Sequence, residues 1–357
     1  MGTVRMPAVA GSFYPEKPEV LRREVRSYLE ESQREGSASS KKRLSAHSKT
    51  AAWPWGGDAR PSTVERPRGH GSPEGFPSRE SEAGHRSWYR LAGAVPAVRG
   101  WANRHRARGV FKWAPIIKAI IVPHAGYIYS GPIAASAYAH LVQDRESIRR
   151  IVLLGPAHFV GFQGLALSSA DSFSTPLGTI PVDLEGTKVA LDLPFISTLD
   201  EAHAEEHSLE VQLPFLQEIL KKFILLPLAV GNASPEMVGK VLEKLWGGLE
   251  TRIVISSDLS HTLPYETAQR VDEETAQTIE ALNPKISPER ACGFAPINGL
   301  LWTAQRKALR VTRADLRNSG DTAGSRDEVV GYGAFLFEEP GTGGVTVGAR
   351  LDLEAYL

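Results

Sequence analysis

Four short apolar runs constrain this chain most: "IIKAIIVP" at 116–123, "IRRIVLLGP" at 148–156, "FILLPLAVG" at 223–231 and "TRIVISSD" at 251–258. Each is short for a helix and too evenly apolar for a sheet with one wet face. They read as strands covered on both sides. Helical segments separate and follow them: "GPIAASAYAHLVQ" opened by Pro132, "HSLEVQLPFLQEILKK", and "SPEMVGKVLEKLWGGL" with Ser234 as N-cap and Pro235 behind it. "PYETAQRVDEETAQTIEAL" and "GFAPINGLLWTAQRKAL" are two more. The segment 162–183 reads as short strands or a hairpin, and "VVGYGAFLFEE" and "TVGARLDLEAY" as closing strands. Strands alternating with helices predict a single α/β domain, with a central mixed, largely parallel sheet flanked by helices.

One stretch does not fit that pattern. Residues 17–35 predict an amphipathic helix, but 37–111 turn rich in Gly, Pro, Ser and Arg without a sustained period. Such a composition buries too little apolar surface to offset its ordering entropy, so 37–111 reads as a disordered insertion between residues 1–36 and 112–357. It does hold Trp53, Trp55, Trp88 and Trp101, unusual for a plain linker. The formal charge of zero also hides an asymmetry. Residues 37–109 carry 14 Lys/Arg against 5 Asp/Glu, which leaves 41 − 14 = 27 against 41 − 5 = 36 elsewhere. The globular part is mildly acidic, so a nucleic-acid partner is not expected. A single cysteine excludes an internal disulfide. No run approaches membrane-spanning length, and the N-terminal residues lack the apolar region of a signal peptide. The cytoplasm is the expected compartment.

In open α/β sheets, chemistry gathers beyond the carboxyl ends of the strands. Three runs deliver polar groups there. The first gives His124, directly after Pro123; the second gives His158, after "GPA"; the third gives Asp258 and His261. If those strands are parallel neighbours, the groups meet in one pocket. Two neutral imidazoles on rigid strand ends suit a first-row transition metal. No local His-Glu-x-x-His pattern supports this, and each histidine alone reads equally as a loop cap. Asp258 and His261 are either ligands or a base oriented by a carboxylate. Cys292, just ahead of a helix, is either a small core residue or a thiolate whose pKa the helix N-terminus lowers. In "AHAEEHSLEVQLPF", Glu206 and Glu210 stand one helical turn apart. That suits a solvated helix face, or one from which His207 turns into the pocket as a supporting group.

The words "PAVAGSFYP", "PHAGYIYSGPIAASAY", "LLGPAHFVG", "STPLGTIPVD", "EEHSLEVQLPFLQ", "SSDLSH", "CGFAPI" and "GYGAFLF" together resemble the Memo family (AmmeMemoRadiSam system protein B-like). That family is related in fold to the class III extradiol ring-cleavage dioxygenases. The resemblance implies a pocket with His124, His158 and Cys292 as metal ligands, and Asp258 and His261 as catalytic neighbours. A cysteine stands where the dioxygenase relatives use a carboxylate, so ring cleavage is not carried over. A thiolate is softer and suits copper or iron in a redox role, with zinc the lesser expectation. Two function classes follow from the resemblance. One is a metal-dependent redox enzyme acting on a small molecule. The other is a module binding phosphotyrosine-type peptides in the same pocket. A zinc hydrolase is a weaker third reading.

Overall fold

The sheet is built as the four runs require. The computed structural model describes residues 2–49 and 116–340, and of 36–49 the backbone alone. In chain order its elements are β1 (Val4–Arg5), α1 (Pro18–Lys49), β2 (Ile116–Val122), α2 (Tyr127–Leu141), β3 (Arg150–Pro156), β4 (Leu165–Leu167), β5 (Ser172–Thr175), β6 (Gly178–Pro181), α3 (Leu184–Leu191) and β7 (Ile196–Thr198). Then come α4 (Glu201–Ala204), α5 (His207–Glu210), α6 (Leu213–Ile219), β8 (Ile224–Val230), α7 (Pro235–Leu245), β9 (Thr251–Ser256), α8 (Tyr265–Glu280), α9 (Phe294–Arg306), β10 (Arg310–Asn318) and β11 (Gly331–Glu339). Among the described residues, 2–45 and 116–340 belong to one compact unit. Of residues 46–112, only the end of α1 is described. The remaining readings for the insertion, its tryptophans and the strand at 346–356 lie outside the described residues.

Eight strands run in the order β10-β11-β2-β9-β3-β8-β4-β7. The middle four, β2, β9, β3 and β8, are mutually parallel, while β10, β11 and β4 add antiparallel pairings at the flanks. Side-chain alternation feeds two cores, one per face. Ile120, Val122 and Leu153 join Leu21 and Val25 of α1, Ile133 of α2 and Phe215 of α6. Ala119, Ile121 and Leu154 join Val238 of α7, Ile279 of α8 and Leu300 of α9. Pro227 is tolerated inside β8 because β4 pairs only with Ala229 and Val230, so the edge beside Pro227 carries no ladder bond to lose. Lys118, the one charge in β2, is buried, and its ammonium donates to the carbonyls of Gly247, Gly248 and Thr251.

Three boundaries differ from the sequence reading. The first helix runs on through Lys49, into the stretch assigned to the insertion. α2 starts at Tyr127, leaving Pro132 inside it, because the Phe13 carbonyl accepts the Tyr127 N–H and caps an earlier start. The expected single helix over 207–222 is instead α5 and α6, with Pro214 in the first turn of α6. A smaller sheet, β1-β5-β6, holds the predicted hairpin against the N-terminal strand.

Candidate metal centre

β9 lies between β2 and β3 and is parallel to both, so the carboxyl ends of all three open on one place. His124, Asp258 and His158 each stand two residues beyond the end of their strand. A fourth group arrives from the side, His207 at the start of α5. One ring nitrogen each from His124, His158 and His207 lie within 4.8 Å of one another. The rings of His158 and His207 stack at 4.7 Å between centroids, and His124 stands edge-on to both at 5.2 and 5.5 Å. Three ring nitrogens this close could share one ion.

Hydrogen bonds fix which nitrogens are free. Ser256 Oγ donates its one proton to the Ser208 carbonyl at 2.5 Å and accepts from Gln212 Nε2 at 2.8 Å. Its 3.0 Å contact with His124 Nδ1 must then be donated by the imidazole. His124 Nε2 is left without a proton. The ionised Glu206 has only acceptors, so His158 Nδ1 donates to Glu206 Oε1 at 2.9 Å, and His158 Nε2 has no hydrogen-bond partner among the described residues. Burial, with the neighbouring histidines, holds His124 well below the usual imidazole pKa. Burial also lowers His207, with His158 adding and Glu206 opposing. Both rings are neutral, the form that binds metal.

Glu206 and Glu210 are not on a solvated helix face, as their spacing suggested. Both are buried. Glu206 caps α5 through Ser208 N at 2.8 Å and accepts from His158 N at 2.6 Å as well as from its ring. Burial opposes its ionisation, but the bonds from His158 outweigh that and pull its pKa down to about 2. Glu210 accepts from Arg5 Nη1, Ala8 N, Val9 N and the Tyr14 hydroxyl. Arg5 also donates to the carbonyls of His203 and Glu206. The N-terminal segment thus clamps α4 and α5, and Phe13 packs on the His207 ring at 4.7 Å. On the other side of α5, a Cβ at Gly155 would sit 2.6 Å from Ser208 Oγ. Only glycine lets β3 and α5 approach this closely.

Cys292 Sγ lies 3.3 Å from His124 Nε2, beside the three-histidine set. The start of α9 does not activate it. Burial, and then the Asp258 charge, push the thiol up to about 12 in the absence of a metal. Asp258 is buried, and its Oδ1 accepts from His124 N at 2.7 Å. Burial raises its pKa to about 6, against the pull of the His124 N–H and the nearby His261. Among the described residues no hydrogen bond joins Asp258 to His261, which is exposed. Ile128, Tyr129 and Phe159, beside His124 and His158 in the chain, are exposed too.

A family model described as Memo-like protein matches residues 109–336, which include every strand of the parallel block and His124, His158, Glu206, His207, Asp258, His261 and Cys292. The chain belongs to the Memo-like protein family. A MEMO1 family protein of Aquifex aeolicus is 37% identical over 234 residues, covering 62% of this chain and 85% of that one. Another, from Metallosphaera sedula, is 34% identical over 261 residues, covering 69% and 88%. A solved structure of an uncharacterized protein from Escherichia coli K12 overlays with a TM-score of 0.41 at 14% identity, covering 60% of this chain and 99% of that one. Among the described residues of this Memo-like chain, no helix is long and apolar enough to cross a membrane.

Proposed function

We propose that this chain binds one iron or copper ion through His124 and His158, with His207 and Cys292 completing the donor set, and serves metal-dependent redox chemistry on a small molecule. The observation that supports this best is the pair of tied Nδ1 atoms, one on Ser256 and one on Glu206, each leaving Nε2 as a free donor. Such outer partners orient ligating histidines and raise their basicity. Cys292 adds a soft donor, whose thiol would lose its proton to a metal despite its raised pKa. When bound, the ion would supply a centre for electron transfer. Asp258, raised to about 6, is suited to holding and moving a proton, and His261 stands near it as the acid/base partner on this reading. The metal-bearing domain on this reading is 1–36 with 112–357, and 37–111 is an insertion. The Aquifex aeolicus relative supports this, since the match spans most of its length but much less of this chain.

A second reading, peptide binding without turnover, draws on the exposed Ile128, Tyr129 and Phe159 near the site. The test is anaerobic reconstitution with Fe(II) or Cu(I), followed by metal analysis. About one ion per chain is expected, lost in His124→Ala and His158→Ala. His207→Ala and Cys292→Ala, measured side by side, rank the two remaining donors. Wild-type protein that stays metal-free with both ions refutes the metal reading.

A further inference from the structure

We propose that Asp272, on α8, is a positioning residue that sets where His261 stands at the site. It acts through the backbone of Ser260. This rests on the metal reading for its purpose but not for its geometry. His261 is exposed and makes no hydrogen bond among the described residues, so its own side chain does not hold it. The backbone on either side must do so.

That backbone is pinned twice. Before His261, Leu259 N donates to the Gly331 carbonyl and Gly331 N to the Ser260 carbonyl, each at 2.8 Å. After it, Leu263 forms an antiparallel bridge with Val329, whose N–H donates to the Leu263 carbonyl at 2.9 Å. Leu259 to Leu263 is four residue steps, while Gly331 to Val329 is two. The surplus is extruded as a bulge carrying His261 and Thr262, and bulges of this kind re-aim side chains beside active sites. Thr262 takes φ +57° to complete it. A β-branched residue there is strained, and such strain persists only where the surroundings enforce it.

Asp272 supplies the enforcement. Its Oδ1 accepts the Ser260 N–H at 3.0 Å, immediately ahead of His261. The side chain is buried, and the buried Ser260 hydroxyl stands beside it. A buried carboxylate is costly, and the partner of this one is Ser260, in the loop. The fit is close: a Cβ at Gly331 would lie 2.0 Å from Oδ2, so the start of β11 admits only glycine against the carboxylate. A residue needed merely to stabilise α8 would have no reason to end on the loop that presents His261.

The experiment uses the full chain loaded with cobalt(II), with histidine ring resonances followed by NMR. In wild type, His261 should show a large, single paramagnetic shift. Asp272→Ala should keep cobalt but collapse or scatter that shift, and should speed Ser260 amide exchange by about ten-fold or more, the loss of one charged hydrogen bond. Asp272→Asn, which keeps an acceptor at Oδ1, should restore most of both. If Asp272→Ala does not fold, Asp272→Ser repeats the test, since its hydroxyl can bond to the helix's own carbonyls. An unchanged His261 shift and an unchanged Ser260 exchange rate in a folded variant overturn the proposal. If wild type binds no cobalt, the iron and copper reconstitution above decides the metal reading, and the amide exchange decides this one alone.

Discussion

Glu206→Gln is the sharpest probe of the centre, because the wild-type carboxylate takes three N–H donors on two oxygens. Oε1 receives the His158 ring and Ser208 N; Oε2 receives His158 N. Glutamine has one oxygen and an NH₂. If the oxygen takes the Oε1 place, the NH₂ confronts His158 N–H; turned over, it confronts the other two donors. At least one charge-assisted bond is lost, worth about 1.5–3 kcal/mol of stability. In either orientation the His158 ring loses its charged acceptor, which should weaken metal binding by about 10–100-fold, or roughly 1.4–2.7 kcal/mol. The pH dependence should change in step. Glu206 is held at about 2, so its contribution is fully present above the ordinary carboxyl pKa of 4.5 and fades as pH falls toward 2. At roughly 1.4 kcal/mol per unit that is about 3 kcal/mol, and glutamine lacks this transition. Cobalt(II) competition against a chelator, with thermal melts from pH 7 to 3, measures both effects. A folded variant whose cobalt affinity stays within about two-fold of wild type would show that the carboxylate does not orient His158.

His261→Ala should keep the metal and lose about 10²–10⁴-fold of any turnover; loss of metal would instead make it a ligand. Asp258→Asn should lower turnover more mildly, and comparison of metal content and rates separates the two effects. His203 is buried, donates from Nε2 to the Ala166 carbonyl, and burial lowers its pKa to about 4. Below pH 6.5 the unfolded histidine takes up a proton that the folded one refuses, so stability should fall from about pH 6.5 to 4 by roughly 3 kcal/mol, less so in His203→Gln. Glu210→Gln should cost about 3–5 kcal/mol in chemical denaturation, because it strands Arg5 in a buried site; a loss under 1 kcal/mol would refute the clamp.

The strand-end histidines were legible because parallel strands announce themselves as apolar runs, and a polar residue just past such a run has few places to go. Strand order was not legible. That β9 separates β2 from β3 depends on pairing across more than a hundred residues, which no local pattern carries. Glu206 and Glu210 were misread for a related reason. Their spacing is that of one helical turn, but the helix breaks before Pro214, and the partners that draw both carboxylates inward lie at His158 and at residues 5–14. His207 was read as a supporting group, and its nitrogen stands among the possible donors because α5 begins at that residue. Cys292 was placed correctly ahead of a helix, yet burial overrides the helix end.

The clamp between Arg5 and Glu210 also bears on synthesis. Its two ends are 205 residues apart in the chain. At about 5–20 residues per second, Glu210 emerges from a ribosome roughly 10–40 s after Arg5. For most of that interval β1 has no β5 to pair with, and throughout it the guanidinium lacks the Glu210 carboxylate. The segment around Arg5 therefore docks late, and until it does, Phe13 cannot press on His207. A nascent chain carries His124 and His158 well before it can hold an ion with all its donors, so loading the centre is tied to completion of the fold rather than to the appearance of its ligands.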